Sequence, residues 1–308
     1  MKDSSKDRNN YSLLKKRLNT YGYLLIRNFF NPKDTDKICI EVNKVYEKYS
    51  KIDSNSDPRT SNNYASAYSL ECLHQIWHKK NVKSFFDNIF AEESFLHPRV
   101  VLRNGYKRDF TPAHQDWPQV QGSKNTLGIW VALKNIKKGG GLLEIADKSH
   151  KNGIWEHNPH KKYGGMIIKN KKLKWLSTNM RSGDAIIFTC LTVHRTENNK
   201  SDVVRQSIDS RWQPLSESIC NESLKPLINI SWKNIYKNWK DKQYAWYWKN
   251  IKFKKEPFDP YYEITSANNI INNYKKDKSW RPAVQKVIDR TSSPILKILC
   301  RDLLNKNG

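Results

Sequence analysis

Between residues 97 and 214 the chain is written in short β segments divided by turn signals, and few folds accept that pattern. Runs suited to strands recur at 99–103, 127–133, 142–145, 185–190 and 203–212. Gly139-Gly140-Gly141 and Ser182-Gly183-Asp184 stand between them, and these residue types supply the backbone conformations that tight turns demand. Several short strands spaced by turns build a sandwich or a barrel. The glycine triplet is not a phosphate loop, because no Gly-Lys-Ser/Thr ending follows it.

Helical signals flank this stretch. Residues 1–20 carry Leu13, Leu14 and Leu18, enough for one short helix. Residues 21–27 read as a strand. Asn31 and Pro32 then suit a helix cap and first turn, and Ile38, Val42, Val45, Tyr46 and Tyr49 share one helical face. Residues 50–65 form a polar loop, with two helices expected around 70–78 and 82–90. His74 and His78 fall one helical turn apart but lack a third partner, so packing is their expected role. Residues 147–182 form a basic insertion that carries His150, His157 and His160 and overhangs a cavity mouth. In 231–253, Trp232, Ile235, Tyr236 and Trp239 make an apolar helical stripe. It is read as packing on the barrel, in preference to an interfacial membrane helix. A last amphipathic piece covers 295–304.

The chemistry starts at His114-Gln115-Asp116. Residues two apart on an extended strand point to one face, so an imidazole and a carboxylate are presented together. His194 is the candidate third ligand. Two histidines and one carboxylate on one face of an octahedron leave positions open for a cosubstrate and dioxygen, the arrangement of non-haem iron oxygenases. Arg205 follows eleven residues later and shares a strand face with Ser207. A guanidinium fork with a hydroxyl beside it suits capture of a terminal carboxylate.

These residues resemble the phytanoyl-CoA dioxygenase (PhyH-like) family of Fe(II)/2-oxoglutarate-dependent oxygenases. The likeness runs from Gly22 to about Pro214. It rests on His114-Gln-Asp116, Gly128-Ile-Trp130-Val-Ala-Leu133, Gly140-Gly-Leu142 with Ser149-His150-Lys151, and His194 with Arg205-x-Ser207. Asp147-Lys148 stands where relatives usually have Pro-Gly, which touches a turn and no ligand. The resemblance implies a mainly β, α+β fold on a double-stranded β-helix (jelly-roll, cupin-like) core. It implies one domain over 1–308: a core at 19–215 and a helical, aromatic- and Lys-rich extension at 216–308. His114, Asp116 and His194 would bind iron, Arg205 and Ser207 would hold the distal carboxylate of 2-oxoglutarate, and Gln115 and Trp130 would line its pocket. With Asp116 present, the halogenating variant of this chemistry is not expected. The implied reaction is hydroxylation of a small organic molecule with O2, releasing succinate and carbon dioxide.

Composition bears on partners. The chain has 55 Lys+Arg against 30 Asp+Glu, a net charge of +25. The lysines are spread along the chain, as nucleotide bias would spread them, so nucleic acid is not the expected partner and a membrane surface ranks behind a soluble substrate. An anionic substrate is left open. Arg103, Lys107 and Arg211, with Trp117, flank the proposed metal segments and are the candidate substrate residues. A nucleic-acid dealkylase, a peripheral membrane oxygenase and a non-catalytic cupin-like binding protein are the alternative functions. Five scattered cysteines without C-x-x-C spacing point away from disulfides and thiolate metal sites, toward a reducing cytoplasm. The polar start of the sequence fits neither a signal nor a transit peptide.

Overall fold

The structure is a computed structural model that describes residues 1–48, 62–161, 167–168, 172–228, 230–291 and 293–305. Its strands are β1 (Tyr23–Ile26), β2 (Ser94–Leu96), β3 (Val101–Gly105), β4 (Leu127–Ala132), β5 (Leu143–Ala146), β6 (Trp175–Leu176), β7 (Ala185–Thr189), β8 (His194–Thr196), β9 (Arg205–Pro214), β10 (Ile219–Cys220) and β11 (Lys255–Glu256). The α-helices are α1 (Tyr11–Tyr21), α2 (Pro32–Lys48), α3 (Asn62–Tyr68), α4 (Glu71–Gln75), α5 (Lys80–Phe90), α6 (Trp117–Val120), α7 (Trp232–Tyr236), α8 (Tyr261–Lys276), α9 (Arg281–Arg290) and α10 (Pro294–Asn305).

The large sheet runs β1-β7-β4-β9-β2, with β3 also paired to β9. All its pairings are antiparallel. A smaller sheet, β6-β5-β8, faces it. Side chains alternate across each strand, and the two faces of the large sheet are both buried. Leu24, Ile26, Ile129, Val131, Ile187, Ile208 and Trp212 point outward into a core shared with α1, α2 and α5. Trp212 stacks on Phe86 of α5 with ring centroids 4.6 Å apart. Tyr23, Leu25, Trp130, Ala132, Ile186 and Phe188 point inward and meet Leu143 and Ile145 of the small sheet. Sheet on sheet with helices covering one outer face is the layered outcome that such two-sided strands require.

The turn before β7 shows how tightly this is closed. Gly183 has φ +86°, and a Cβ there would stand 2.2 Å from the Phe30 carbonyl oxygen. Only glycine fits. Asp184 then accepts from Arg27 Nη1 (2.7 Å) and from the Asn28 backbone (2.8 Å), which ties β7 to the end of β1.

Several expectations need adjustment. Residues 50–61 of the expected loop lie outside the described residues, and 62–65 open helix α3 rather than extending a loop. The aromatic stretch 231–253 contains only the short α7 and a 3-10 turn. Trp232, Ile235, Tyr236, Trp239 and Trp248 are buried in the main core, the packing role expected of them. A short segment can bury such a stripe without a long helix because its turns fold back on the same surface. Helices α8–α10 carry a separate apolar cluster of Ile270, Tyr274, Val284, Cys300 and Leu304. Among the described residues no helix is long and apolar enough to cross a membrane.

His74 and His97 are buried and each spends a ring nitrogen on a neutral partner, the Tyr68 carbonyl (2.7 Å) and the Gln213 side chain (2.8 Å). Burial pushes them down to about 4 and about 3 from an ordinary 6.5. Between those values the unfolded chain binds more protons, so stability is complete above pH 6.5 and is lost as pH falls below it. Each histidine costs up to about 1.4 kcal/mol per pH unit in that window. The urea midpoint is therefore expected to drop between pH 7.5 and pH 5. A midpoint that does not move over that range would contradict the burial of both rings.

Candidate active site

The site is assembled where residues 111–114 join the small sheet. His114 and His194 exchange both backbone hydrogen bonds, at 3.0 and 2.9 Å. Directly opposed residues project to one side, and their ring centroids lie 4.2 Å apart. Asp116 arrives differently from the strand-spacing expectation. Its φ of −77° and ψ of −37° are helical, and it caps α6. The backbone N–H groups of Asp116 and Trp117 both donate to the Cys190 carbonyl, each at 3.1 Å, and this bend brings the carboxylate beneath the two rings.

Each histidine Nδ1 faces a backbone carbonyl two residues earlier, Pro112 at 2.8 Å and Thr192 at 3.0 Å. With Nδ1–H donating there, each Nε2 lone pair is left for another partner. Asp116 Oδ1 lies 3.9 Å from His114 Nε2 and 3.7 Å from His194 Nε2. The three groups offer donor atoms all within 4.8 Å of one another. Burial, then the neighbouring His194, pushes His114 down to about 3, and burial lowers His194 also. Neutral imidazoles are the form a metal takes. Burial alone would raise the Asp116 carboxyl. Arg211 first, then the two histidines and Arg103, together outweigh burial and hold the group well below the usual carboxylate range.

Strand β9 supplies the rest. Its inward residues are Arg205, Ser207, Asp209 and Arg211, a wholly polar face. Arg211 grips the outer oxygen of Asp116 through Nε (3.1 Å) and Nη2 (2.9 Å). Asp209 accepts from Arg103 of β3 through two bonds, at 2.5 and 3.2 Å, and lies 3.9 Å from Arg211 Nη1. Arg205 donates from Nη1 to Ser207 Oγ at 2.8 Å. Its Nε is buried without a partner. Burial, reinforced by Arg103, pushes Arg205 down to about 10, so it is cationic at neutral pH. Gly105 leaves room for this guanidinium, since a Cβ there would stand 2.9 Å from Nη2.

A cavity of about 320 Å³ opens on the three candidate ligands. Arg103, Thr111, Trp130, Leu143, Phe188, Arg195, Thr196 and Asp209 complete its wall. The indole nitrogen of Trp130 is also buried without a partner. The other expected residues sit elsewhere. Gln115 does not line the cavity: it donates to the carbonyls of Gly153 (2.8 Å) and Leu191 (2.5 Å) and accepts from the Trp155 N–H (2.9 Å). Lys107 is at the surface, paired with Asp202 at 2.7 Å. Trp117 donates to the Gly122 carbonyl at 3.2 Å and stays off the cavity wall. Arg211 belongs to Asp116 rather than to the cavity surface. Of the insertion, Ile168 N donates to the Ala113 carbonyl at 2.8 Å, which carries that segment to the strand bearing His114. His150 and His157 lie outside the cavity lining.

Asp209 and the role of Arg211 were not recognised in the sequence. The signal was present. The alternation that pairs Arg205 with Ser207 also puts residues 209 and 211 on the same face.

The chain is 25% identical over 170 residues to 1-deoxypentalenic acid 11-beta-hydroxylase of Streptomyces arenae, covering 49% of this chain and 60% of that enzyme. It is 26% identical over 114 residues to peroxisomal phytanoyl-CoA dioxygenase of Bos taurus, covering 34% of each. The chain thus spans less than two thirds of either relative. Among solved structures, the epimerase SnoN in complex with Fe3+, alpha ketoglutarate and nogalamycin RO superposes with a TM-score of 0.53 at 15% identity, covering 68% of this chain and 86% of that one. EctD from S. alaskensis gives 0.51 at 12%, covering 80% and 88%. At these identities the likeness shows the shared jelly-roll fold. Residues 18–207, well over half of the chain, match the family described as phytanoyl-CoA dioxygenase (PhyH), and the chain belongs to that family.

Proposed function

We propose that this protein is a non-haem Fe(II)- and 2-oxoglutarate-dependent dioxygenase that hydroxylates a small organic molecule. The observation that carries the reading is the set of half-buried His114 with buried Asp116 and His194, with both Nε2 atoms and one carboxylate oxygen converging while Nδ1 is occupied elsewhere. Two neutral imidazoles and one hard carboxylate suit ferrous iron and leave coordination positions open. The fit extends to the cosubstrate. Arg205 is a buried cation with an unpartnered nitrogen, and Trp130 points an unpartnered N–H from the cavity wall. A buried donor left unbonded is costly, and a dicarboxylate answers that need. The relative from Streptomyces arenae is named a hydroxylase, and SnoN was crystallised with iron and alpha ketoglutarate.

His114, Asp116 and His194 would hold the metal, and Arg205 with Ser207 would hold the distal carboxylate. Bound together, iron and 2-oxoglutarate would use O2 to replace a substrate C–H by C–OH, with succinate and carbon dioxide as co-products. The chain's own part is positional. The Pro112 and Thr192 carbonyls fix both ring tautomers. Arg211 fixes the Asp116 carboxylate by its outer oxygen. Phe188, 4.5 Å from the His194 ring, and Leu143 keep the wall apolar and exclude water. No residue is needed as acid or base.

Anaerobic titration of the protein with Fe(II) and 2-oxoglutarate is expected to give the visible metal-to-ligand absorption band, saturating at one equivalent. A protein that binds neither, with its fold intact by circular dichroism, is a non-catalytic cupin-like binder instead.

A further inference from the structure

We propose that the substrate is a monocarboxylate and that Arg103 receives its negative charge; this rests on the iron and 2-oxoglutarate reading. Seven ionised side chains stand at or beside the cavity: Arg103, Arg195, Arg205 and Arg211 against Asp116, Glu144 and Asp209. Imidazoles that ligate a metal are neutral, so these side chains contribute one net positive charge. Ferrous iron and doubly charged 2-oxoglutarate cancel each other. One positive charge therefore remains among side chains that are mostly buried, where an unbalanced charge is expensive. A substrate with one negative charge restores balance. A cation worsens it, and a dianion overshoots.

The geometry chooses among the four guanidiniums. Arg211 has Nε and Nη2 on Asp116. Arg205, joined to Ser207 outside the cavity lining, is reserved for the distal carboxylate of 2-oxoglutarate. Of the two that border the cavity, Arg195 gives Nε to Glu144 at 2.6 Å and lies 4.0 Å over the Trp175 ring, which leaves Arg103 beside the three candidate ligands. It is also the more open, with its side chain 27% exposed against 11% for Arg211. Asp209 takes Nε and Nη2 of Arg103, and Nη1 has no partner among the described residues. Asp209 thus acts as a splint: it holds the guanidinium plane with one edge toward the cavity. A planar carboxylate matches that edge. The net charge of +25 would attract such an anion from solution.

The test uses the full chain loaded anaerobically with Fe(II) and 2-oxoglutarate, at constant ionic strength. Appearance of the absorption band establishes the cofactor reading first, so a failure there is distinct from a failure here. Acetate, propanoate and cyclohexanecarboxylate are then titrated against their primary amides while shifts of the band are followed. The carboxylates are expected to bind at least about tenfold more tightly than the amides. Asp209→Asn frees the second edge of Arg103 and adds a positive charge, so carboxylate affinity should rise about tenfold. Arg103→Gln should lower it by a similar factor, and neither change should move the amides. A general structural disturbance would not produce opposite signs. Carboxylates that leave the band unshifted, amides that match them, or bleaching of the band through loss of 2-oxoglutarate would each overturn the proposal. So would variants that move carboxylate affinity in the same direction. If Arg103→Gln fails to form the band, the wild-type and Asp209→Asn comparison decides.

Discussion

Asp116→Ala is expected to lose Fe(II) binding by more than about 100-fold, because groups that merely orient a metal ligand already cost 10- to 100-fold when removed. Two effects act together. The substitution removes the only anionic member of the candidate set, and it strips Arg211 of its counter-ion. Arg211 grips Asp116 at 2.9 and 3.1 Å, so alanine leaves a buried guanidinium facing two neutral rings. A divalent cation would then approach a site whose nearest charge is positive. Fold stability falls as well, by up to about 3–5 kcal/mol for an orphaned buried charge. Asp209, 3.9 Å from Arg211 Nη1, is placed to recover part of that loss. Pairing the change with Arg211→Met should restore the thermal midpoint without restoring the metal. Iron affinity of Asp116→Ala within tenfold of wild type, measured anaerobically by calorimetry, would remove Asp116 from the ligand set.

The way Asp116 reaches its place explains what the sequence could and could not convey. His-x-Asp spacing correctly suggests that the two groups share a face, but for a reason the backbone does not use. Asp116 is helical, and the Cys190 carbonyl turns it into position. That carbonyl is distant in sequence and invisible to any local pattern. Arg211 is a substrate candidate in the sequence because it is cationic and flanks the metal segments, and neither property identifies its partner. The partner depends on the neighbouring strand. Gly128 lies opposite Arg211 in β4, and a Cβ on it would stand 3.5 Å from Asp116 Oδ2. A Cβ would meet the Phe188 ring first, at 3.0 Å, so the missing side chain leaves room for that ring beside the carboxylate. Gln115 misleads in the opposite way. It sits between two candidate ligands, yet its side chain leaves on the other face and spends its amide on three backbone groups. The strands themselves were legible because turn residues and β-rich runs are local. The aromatic stripe at 231–253 has one pattern for a membrane face and for a core, and only its burial separates them.

Arg205→Ala is expected to raise the KM for 2-oxoglutarate about 100- to 1,000-fold while leaving Fe(II) affinity unchanged. The magnitude follows from the lower part of the about 3–5 kcal/mol that removing one partner of a buried ion pair costs. The separation follows from position: among the described residues Arg205 hydrogen-bonds to Ser207 and to none of the three candidate ligands. Its Nε is buried and unbonded, and its plane is flanked by Gly105 and Gly141, neither of which presents a side chain to it. A guanidinium desolvated in this way has already lost its water, so a carboxylate that arrives is exchanged for nothing. Lysine should rescue little, since a single ammonium cannot reproduce the fork or fill the flat space between two glycines. Ser207→Ala should have the same sign and a smaller size, about tenfold, for one charge-assisted hydrogen bond. Steady-state succinate release against 2-oxoglutarate concentration, with iron titrated separately, reads both quantities. If Arg205→Ala weakens iron as much as it weakens 2-oxoglutarate, the guanidinium supports the fold of the cavity and the cosubstrate must be anchored by another cation.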